Sequence, residues 1–242
     1  GAAMASLFGA SYVRHLTNAP RIAVAYPMFL AGMNMALMAD DAFSFLVSWE
    51  FMSASSWLLV LTDHEDEENR KAAFTYLVMA LFGTFCLLAA FGILAQAGGG
   101  YDFAAMRQAK LDGWQSSLVV IFALLGAGSK AGMVPLHAWL PLAHPAAPSH
   151  VSALMSGVMP KVALYILARF LFDFGPTPFW WWGAVIMVAG GITAVAGILY
   201  ALFQTDLKRL LAYSTVENVG VALIGLGVAL AFKGEGMHTY AA

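Results

Sequence analysis

The chain has 242 residues, of which 61% are hydrophobic and only 11% are charged. Soluble domains average roughly 25% charged residues, so this composition leaves too few polar side chains to cover a water-exposed surface. Lys and Arg total 12 against 14 Asp and Glu, a formal net charge of -2, which argues against a nucleic-acid partner. We therefore expect an integral membrane protein whose apolar surface contacts the lipid bilayer.

The single cysteine, Cys86, excludes several kinds of redox chemistry. One thiol cannot form an intrachain disulfide, a CxxC pair or a cysteine-ligated iron–sulfur site. The glycine cluster around Lys130 has neither the GxGxxG nor the Walker spacing, and nothing fixes the geometry of the acidic segment 63–71 for a metal ion. We expect no cofactor, no metal site and no catalytic centre of the chain's own.

Seven apolar windows are long enough to cross a hydrocarbon core as helices. They cover residues 22–39, 42–62, 72–96, 115–136, 149–172, 180–203 and 209–232. The charged segment 63–71, the glycine-rich segment 98–112 and the Gly/Pro segment 175–178 separate some of them. We therefore predict one all-α transmembrane domain over residues 1–242, a polytopic helical bundle. Because the chain begins at Gly1, we also expect a piece of a longer protein, although processing would look the same.

The distribution of basic residues gives a weak orientation signal. One side of the predicted bundle carries six of them and the opposite side four: Arg14, Arg21, Arg70, Lys71, Lys208 and Arg209 against Arg107, Lys110, Arg169 and Lys233. The positive-inside rule then places residue 1 and the 63–71 loop in the cytoplasm. Three consecutive tryptophans, at 180–182, would begin a helix at the opposite interface, as in an aromatic belt.

Four ionisable residues fall inside the predicted spans: Glu50, Lys130, Lys161 and Glu217. An intramembrane charge costs about 2.5–3.5 kcal/mol even on the lenient insertion scale, so these residues need a reason to be there. One reading is a scaffold in which Glu50 pairs with a lysine to hold helices together, but desolvation offsets most of that attraction. We favour proton exchange, because burial disfavours the charged form of both residue types. Glycine and proline near Lys130 and Lys161 predict interrupted helices.

Three histidines, His137, His144 and His150, flank the fourth and fifth spans. Histidine titrates near neutral pH and suits a proton relay, although orienting the connecting loop is an equally good role for any one of them. Eleven residues separate His150 from Lys161, which places both on one face of a continuous helix about 16 Å apart. His137 follows Lys130 by seven residues and would share its face if the helix continued past Pro135. A metal cluster is disfavoured because no carboxylate or cysteine lies nearby in sequence.

At this point the motifs indicate a family. Residues 128–161, with the sequence GSKAGMVPLHAWLPLAHPAAPSHVSALMSGVMPK, resemble the proton-conducting antiporter-like subunits shared by respiratory complex I, Mrp antiporters and membrane-bound hydrogenases. Residues 45–53, FLVSWEFMS, and 204–215, QTDLKRLLAYST, fit the same family. Within it, HVSALMSG at 150–157 and YSTVENVG at 213–220 look most like the large membrane subunit of formate hydrogenlyase and hydrogenase-4-type complexes.

The resemblance implies a fold of about fourteen helices containing two inverted five-helix repeats. The seven spans would then be helices four to ten, one complete repeat and the start of the inverted second. Glu50 matches the family's glutamate on helix five, Lys130 the lysine on broken helix seven, and Lys161 the lysine on helix eight. Pro160, directly before that lysine, and Glu217 both depart from the complex I pattern.

The function implied by the resemblance is proton translocation across the inner (cytoplasmic) membrane. The chain would be a non-redox subunit of a hydrogenase- or NADH:quinone oxidoreductase-like complex, with other membrane subunits and peripheral Ni–Fe and iron–sulfur subunits as partners. Glu50 would switch the charge of Lys130, Lys130 would hold the proton, and Lys161 would relay it onward. The three histidines and Glu217 would complete the route. The alternatives are part of an Mrp-type cation/proton antiporter and a structural membrane protein that conducts nothing.

Overall fold

A computed structural model describes residues 2–13, 18–174 and 179–237, and helices make up nearly all of these segments. This confirms the predicted all-α membrane bundle. In chain order the helices are α1 (Ala2–Tyr12), α2 (Ala19–Met38), α3 (Ala42–Val60), α4 (Glu67–Gly98), α5 (Phe103–Arg107), α6 (Gly113–Ala131), α7 (Leu140–Ala146), α8 (Ser149–Gly157), α9 (Met159–Ala168), α10 (Trp180–Leu202) and α11 (Leu207–Gly234). A 3-10 turn at Leu61–Asp63 and a π-helix at Arg169–Asp173 follow α3 and α9.

Within the described residues, six helical segments are long and apolar enough to cross a membrane. They are Ala19–Met38, Ala42–Asp63, Glu67–Gly98, Ser149–Asp173, Trp180–Leu202 and Leu207–Gly234. The window at 115–136 corresponds to α6, which is not among the six and ends five residues earlier, at Ala131. Large apolar side chains remain on the outer faces, for example Phe85 at 70% and Val188 at 63% exposed, as expected of surface in contact with lipid.

Aspartates fix where four of the helices begin. The carboxylates of Asp41, Asp66, Asp102 and Asp206 each accept a backbone N–H from the first turn of the helix that follows. This is the preferred N-cap arrangement, because the first N–H groups of a helix have no partner within it. The hydrogen bonds from the side chain and backbone of Ser44 hold the pKa of Asp41 below its ordinary value.

Side-chain contacts join separate segments of the chain at both ends of the bundle. The Asp63 end contains the turn between α3 and α4, and there Asn18 at the start of α2 donates to the carbonyl of Thr62 at 2.9 Å. At the opposite end, the Asp102 end, Arg107 makes a bidentate contact with Asp173 at 2.7 and 3.2 Å. That carboxylate holds the pKa of Arg107 above its ordinary value.

The tryptophan cluster lies at the Asp102 end, opposite the 63–71 segment. Trp180 and Trp181 are 57% and 43% exposed, whereas Trp182 is buried, so two of the three rings can meet an interface. The Gly/Pro segment 175–178, which precedes the tryptophans, lies outside the described residues. Arg14, one of the six basic residues assigned to the cytoplasmic side, also lies outside them.

Two helices are interrupted near the lysines, as their glycine and proline content predicted. The α6 helix ends at Ala131 because Gly132 adopts a left-handed conformation (φ 89°), and regular helix resumes only at Leu140. We call residues 132–139 the interruption. Helix therefore does not continue from Lys130 to His137, and these two residues do not share a helical face. The fifth window likewise divides into α8 and α9 at Val158, just before Pro160.

Candidate functional site

Lys130 lies in the last turn of α6 and is enclosed by protein, with only 2% of its surface exposed. Its ammonium nitrogen donates hydrogen bonds to Ser53 Oγ at 2.7 Å and to the Tyr76 hydroxyl at 2.8 Å. Because Ser53 belongs to α3 and Tyr76 to α4, three helices meet at this nitrogen. The carbonyl groups at the end of α6 add partial negative charge that favours a cation.

The two acceptors of Lys130 are neutral hydroxyl groups with partners of their own. Ser53 Oγ donates to the carbonyl of Trp49 at 2.8 Å, and the Tyr76 hydroxyl lies 2.6 Å from Ser56 Oγ. An ammonium group has three N–H donors, of which these contacts use two. After the loss of the third proton the neutral amine keeps two N–H groups, which can still donate to the same two hydroxyls.

Aromatic rings form the walls of the lysine pocket. The Nζ atom of Lys130 lies 4.9 Å from the ring centre of Tyr76 and 5.8 Å from that of Trp49. Trp139 packs edge-on against Tyr76 and donates from Nε1 to the carbonyl of Ser129 at 2.8 Å. The contacts of the Lys130 ammonium with the Tyr76 and Trp49 rings are cation–π contacts, which favour a cation by about 0.5–2 kcal/mol each. Trp49 Nε1 is enclosed without a hydrogen-bond partner among the described residues.

Glu50 lies one helical turn before Ser53, on α3, and is half-buried. Its carboxylate accepts a hydrogen bond from Thr84 Oγ1 of α4. Within the described part of the chain, the ion pairs closer than 4.0 Å involve neither Glu50 nor Lys130. Their charges still act on each other through the protein. Glu50 is therefore a neighbouring charge rather than a salt-bridge partner of Lys130.

His144 is one of two buried histidines among the three that the sequence singled out. It lies on α7, is 2% exposed, and its Nδ1 lies 2.8 Å from Ser152 Oγ of α8. Its Nε2 is enclosed and has no hydrogen-bond partner among residues 2–13, 18–174 and 179–237. A buried ring nitrogen without a protein partner is a position where an ordered water is expected.

A cavity of about 150 Å³ lies beside the residues that follow His144. Residues 145–148 line it together with polar side chains at the Asp63 end: Tyr12, Asn18, Thr62, Asp63 and Lys208. Lys208 donates to the carbonyls of Pro145 at 3.3 Å and Ala147 at 2.9 Å, across the end of α7. The cavity is polar and has room for several water molecules.

His150 and Lys161 lie in different surroundings. His150 is 2% exposed and contacts the rings of Tyr26 and Tyr12, with ring centres 5.0 and 5.9 Å away. Lys161 is exposed and lines a groove of about 430 Å³ together with residues of α11 such as Asn218. The expectation that both project from one continuous helical face is wrong, because the helix divides at Val158.

The remaining two predicted residues lie near the α10–α11 pair. His137, in the interruption, is half-buried, and its ring centre is 6.3 Å from those of Tyr200 and Tyr213. Glu217 is half-buried on α11, where its backbone packs closely against Gly197 of α10.

The structure thus brings Glu50 and Lys130 into one site and leaves the other predicted residues apart from it. Sequence reasoning missed the side chains that bind the two charges: Ser53, Tyr76 and Thr84. A signal for each was present. Ser53 follows Glu50 by three residues, which places both on one helical face, and Tyr76 and Thr84 are among the few polar residues of an apolar span.

The chain is similar to known proteins over most of its length. A family model described as "NADH:quinone oxidoreductase/Mrp antiporter, TM" matches residues 39–241. Hydrogenase-4 component B of Escherichia coli (strain K12) is 43% identical over 230 residues, covering 93% of this chain and 34% of that protein. One of the Na(+)/H(+) antiporter subunits of Bacillus subtilis (strain 168) is 34% identical over 217 residues, covering 88% of this chain and 27% of that protein.

A solved structure shows the same arrangement of helices. The membrane-bound sulfane sulfur reductase, an archaeal respiratory membrane complex, contains a chain that matches with a TM-score of 0.79 and 27% sequence identity. The match covers 98% of this chain and 41% of that one. The present chain therefore spans about a third of the length of the hydrogenase-4 relative and less than half of the matched structural chain.

Proposed function

Because the chain belongs to the NADH:quinone oxidoreductase/Mrp antiporter family of membrane subunits, as its motifs predicted, we propose that it is the part of such a subunit that holds and passes protons. In this proposal Lys130 is the proton holder and Glu50 the charge that sets its affinity for the proton. The reaction at Lys130 is the loss and regain of one proton by its amine, with no change of oxidation state.

The observation that supports this role is the pairing of a buried lysine with two hydroxyls instead of a carboxylate. A direct buried ion pair stabilises the charged lysine and opposes release of its proton. The ammonium and the neutral amine can both donate to Ser53 and Tyr76, so the pocket suits both protonation states. The third N–H of the ammonium, which donates to neither hydroxyl, is the one available for transfer.

Glu50 would act on Lys130 at short range without contacting it. A negative charge nearby favours the ammonium form, and removal or neutralisation of that charge favours release of the proton. Thr84 holds the carboxylate on the α4 side of the site, which keeps it from closing into a salt bridge.

The other ionisable residues would serve the route to and from Lys130. His144, beside the polar cavity at the Asp63 end, is suited to exchange protons with water from that end. His137 and His150 would carry protons within the bundle. Lys161, in its groove against α11, would pass them onward, and Glu217 would act at the start of the second repeat.

The complete protein would work inside a larger assembly. Hydrogenase-4 component B is by its name part of a hydrogenase, and we propose that the present protein likewise joins other membrane subunits and Ni–Fe and iron–sulfur subunits that carry out the redox chemistry. Its place would be the inner (cytoplasmic) membrane. The similarity to part of a Na(+)/H(+) antiporter supports a second candidate, exchange of a cation for protons by the same lysine site.

The test is donor-driven acidification of inverted membrane vesicles that contain the complete protein in its complex. We expect Lys130→Met to abolish acidification while the complex assembles in normal amount, because methionine fills similar space without a proton to carry. Normal acidification by this variant, or a loss that only follows reduced abundance, would refute the proton-holder role. Dependence of the wild-type signal on added Na⁺ would favour the antiporter candidate.

A further inference from the structure

The helices α10 and α11 pack so closely that they form one rigid unit. A Cβ atom at Gly190 of α10 would come within 2.7 Å of the carbonyl oxygen of Gly220 on α11, and one at Gly183 within 2.4 Å of that of Gly227. At such distances the two backbones are in direct contact and cannot slide past each other easily. Movement of one helix therefore carries the other with it.

This unit hydrogen-bonds directly to the interruption that follows Lys130. The backbone N–H of Val134 donates to Thr193 Oγ1 of α10 at 3.2 Å. Thr193 is 0% exposed, and its hydroxyl donates in turn to the carbonyl of Ala189 at 2.7 Å. Because the interruption is not helical, this N–H has no carbonyl partner in a helix, and the threonine supplies its acceptor.

Two further contacts tie the unit to the same stretch of chain. The ring of His137 lies beside the stacked pair formed by Tyr200 on α10 and Tyr213 on α11. Its centre is 6.3 Å from each of theirs, and the two tyrosine centres are 5.5 Å apart. Lys208 of α11 donates to the last carbonyls around α7. The α10–α11 unit therefore contacts the chain on both sides of His137, from Val134 to the end of α7.

We infer that Thr193 is a positioning residue for Lys130: its hydroxyl holds the interruption in the conformation that ends α6 at Ala131 and directs Lys130 toward Ser53 and Tyr76. The backbone N–H groups of Gly132 and Met133 donate to the carbonyl of Gly128 at 2.9 and 2.8 Å, so a change in the backbone of the interruption reaches the last turn of α6, where Lys130 lies. The effect of Thr193 on proton transfer rests on the proposed function, whereas its effect on the conformation of the interruption does not.

Thr193→Val tests the hydroxyl, because valine has nearly the same shape and lacks both the acceptor for the Val134 N–H and the donor to the carbonyl of Ala189. The Val134 N–H is then left without a partner, a state that buried backbone groups avoid, and the interruption must rearrange. Thr193→Ser keeps the acceptor and loses a methyl group. The matched control is Thr75→Val on α4, where the threonine hydroxyl bonds only to the carbonyl of Lys71 in its own helix.

The first measurement is backbone amide hydrogen exchange of a peptide covering 132–139 in the purified complex. We expect Thr193→Val to exchange at least about threefold faster there than the wild type, and Thr193→Ser and Thr75→Val to match the wild type. Unchanged exchange in Thr193→Val would overturn the inference. This outcome does not depend on whether Lys130 carries protons.

The second measurement is the pH profile of donor-driven acidification, normalised to complex abundance. Thr193→Val should shift the profile by at least about half a pH unit, because the surroundings of Lys130 change, and Thr193→Ser should restore it. A role in packing alone would lower abundance and leave the profile in place, which would contradict positioning. If Lys130→Met translocates normally, the proposed function fails, whereas the exchange result still decides whether Thr193 holds the interruption.

Discussion

Glu50 and Lys130 share one site without forming a salt bridge: Ser53, which binds Lys130, lies one helical turn after Glu50 on α3. Thr84 hydrogen-bonds to the carboxylate, Ser53 and Tyr76 hydrogen-bond to the ammonium, and each charge is satisfied separately. Direct contact with the carboxylate would favour the charged form of the lysine and oppose release of its proton. Because the two charges bind different side chains and do not touch, a small movement of Glu50 can change the attraction between them.

Removal of the charge or of its hydrogen bond should slow proton translocation to different degrees. We expect Glu50→Gln in the complete protein to lower acidification of inverted vesicles by at least about tenfold, since the lysine loses the charge that favours its protonated form. Thr84→Val should lower it less, because the carboxylate remains but loses its donor, a hydrogen bond worth roughly 1.5–3 kcal/mol. Thr75→Val, on the same helix, serves as the control and should behave as the wild type. A Glu50→Gln variant that pumps normally would contradict the role of the charge.

The turn between α3 and α4 should face the cytoplasm, according to the bias of basic residues. We would replace Glu65, exposed in that turn, and Tyr101, which is 69% exposed at the opposite end, by cysteine in a Cys86→Ser background. An impermeant thiol reagent added to spheroplasts should label Tyr101→Cys and leave Glu65→Cys unlabelled until the membrane is permeabilised. The reverse pattern would invert the topology.

Most of the helices could be predicted from the sequence because their cause is local. Lipid requires about twenty apolar residues with every backbone group paired, and that requirement is visible in composition alone. The left-handed turn at Gly132 could be predicted for a similarly local reason, because glycine adopts this conformation readily. The division at Val158 was harder to locate, because Pro160 is tolerated in the first turn of a helix and does not say where the preceding helix ends.

The site itself was predictable only in part. A charge inside an apolar window is conspicuous, which is why Glu50 and Lys130 stood out. Their partners were not, since a serine or a tyrosine in a membrane helix usually bonds to its own backbone or lies at an interface. Whether Tyr76 reaches Lys130 depends on how α4 and α6 pack, and that is set by the close approach of Gly83 and Gly126. Contacts between distant segments have no signature in a single sequence.

The polar cavity beside α7 should contain water that exchanges with the Asp63 end. Ala147, directly after the end of α7, lines it and is 1% exposed, whereas Ala143, four residues earlier on α7, is 0% exposed and does not line it. In a Cys86→Ser background, a small charged thiol reagent added to inverted vesicles should modify Ala147→Cys several times faster than Ala143→Cys. If both cysteines are modified at equal and negligible rates, the cavity is dry. If both are modified at equal and rapid rates, water reaches α7 along its length. Either result would remove the support for His144 as the residue that meets water.

Lys130→Arg separates proton transfer from scaffolding most sharply. Arginine keeps the positive charge and can hydrogen-bond to Ser53, but its pKa above about 12 prevents ready release of a proton. If Lys130 holds and releases protons, Lys130→Arg should stop translocation nearly as completely as Lys130→Met, with the complex present in normal amount. If the lysine only stabilises the fold, the order reverses: Lys130→Arg works, whereas Lys130→Met loses the hydrogen bonds to Ser53 and Tyr76, each worth roughly 1.5–3 kcal/mol for a charged donor, and lowers the abundance of the complex. Tyr76→Phe gives an independent check, because it removes one acceptor of the ammonium and leaves the charge in place. Complex abundance and donor-driven acidification, measured together for the three variants, decide between the two orders, and full acidification by Lys130→Arg would refute proton transfer at this residue.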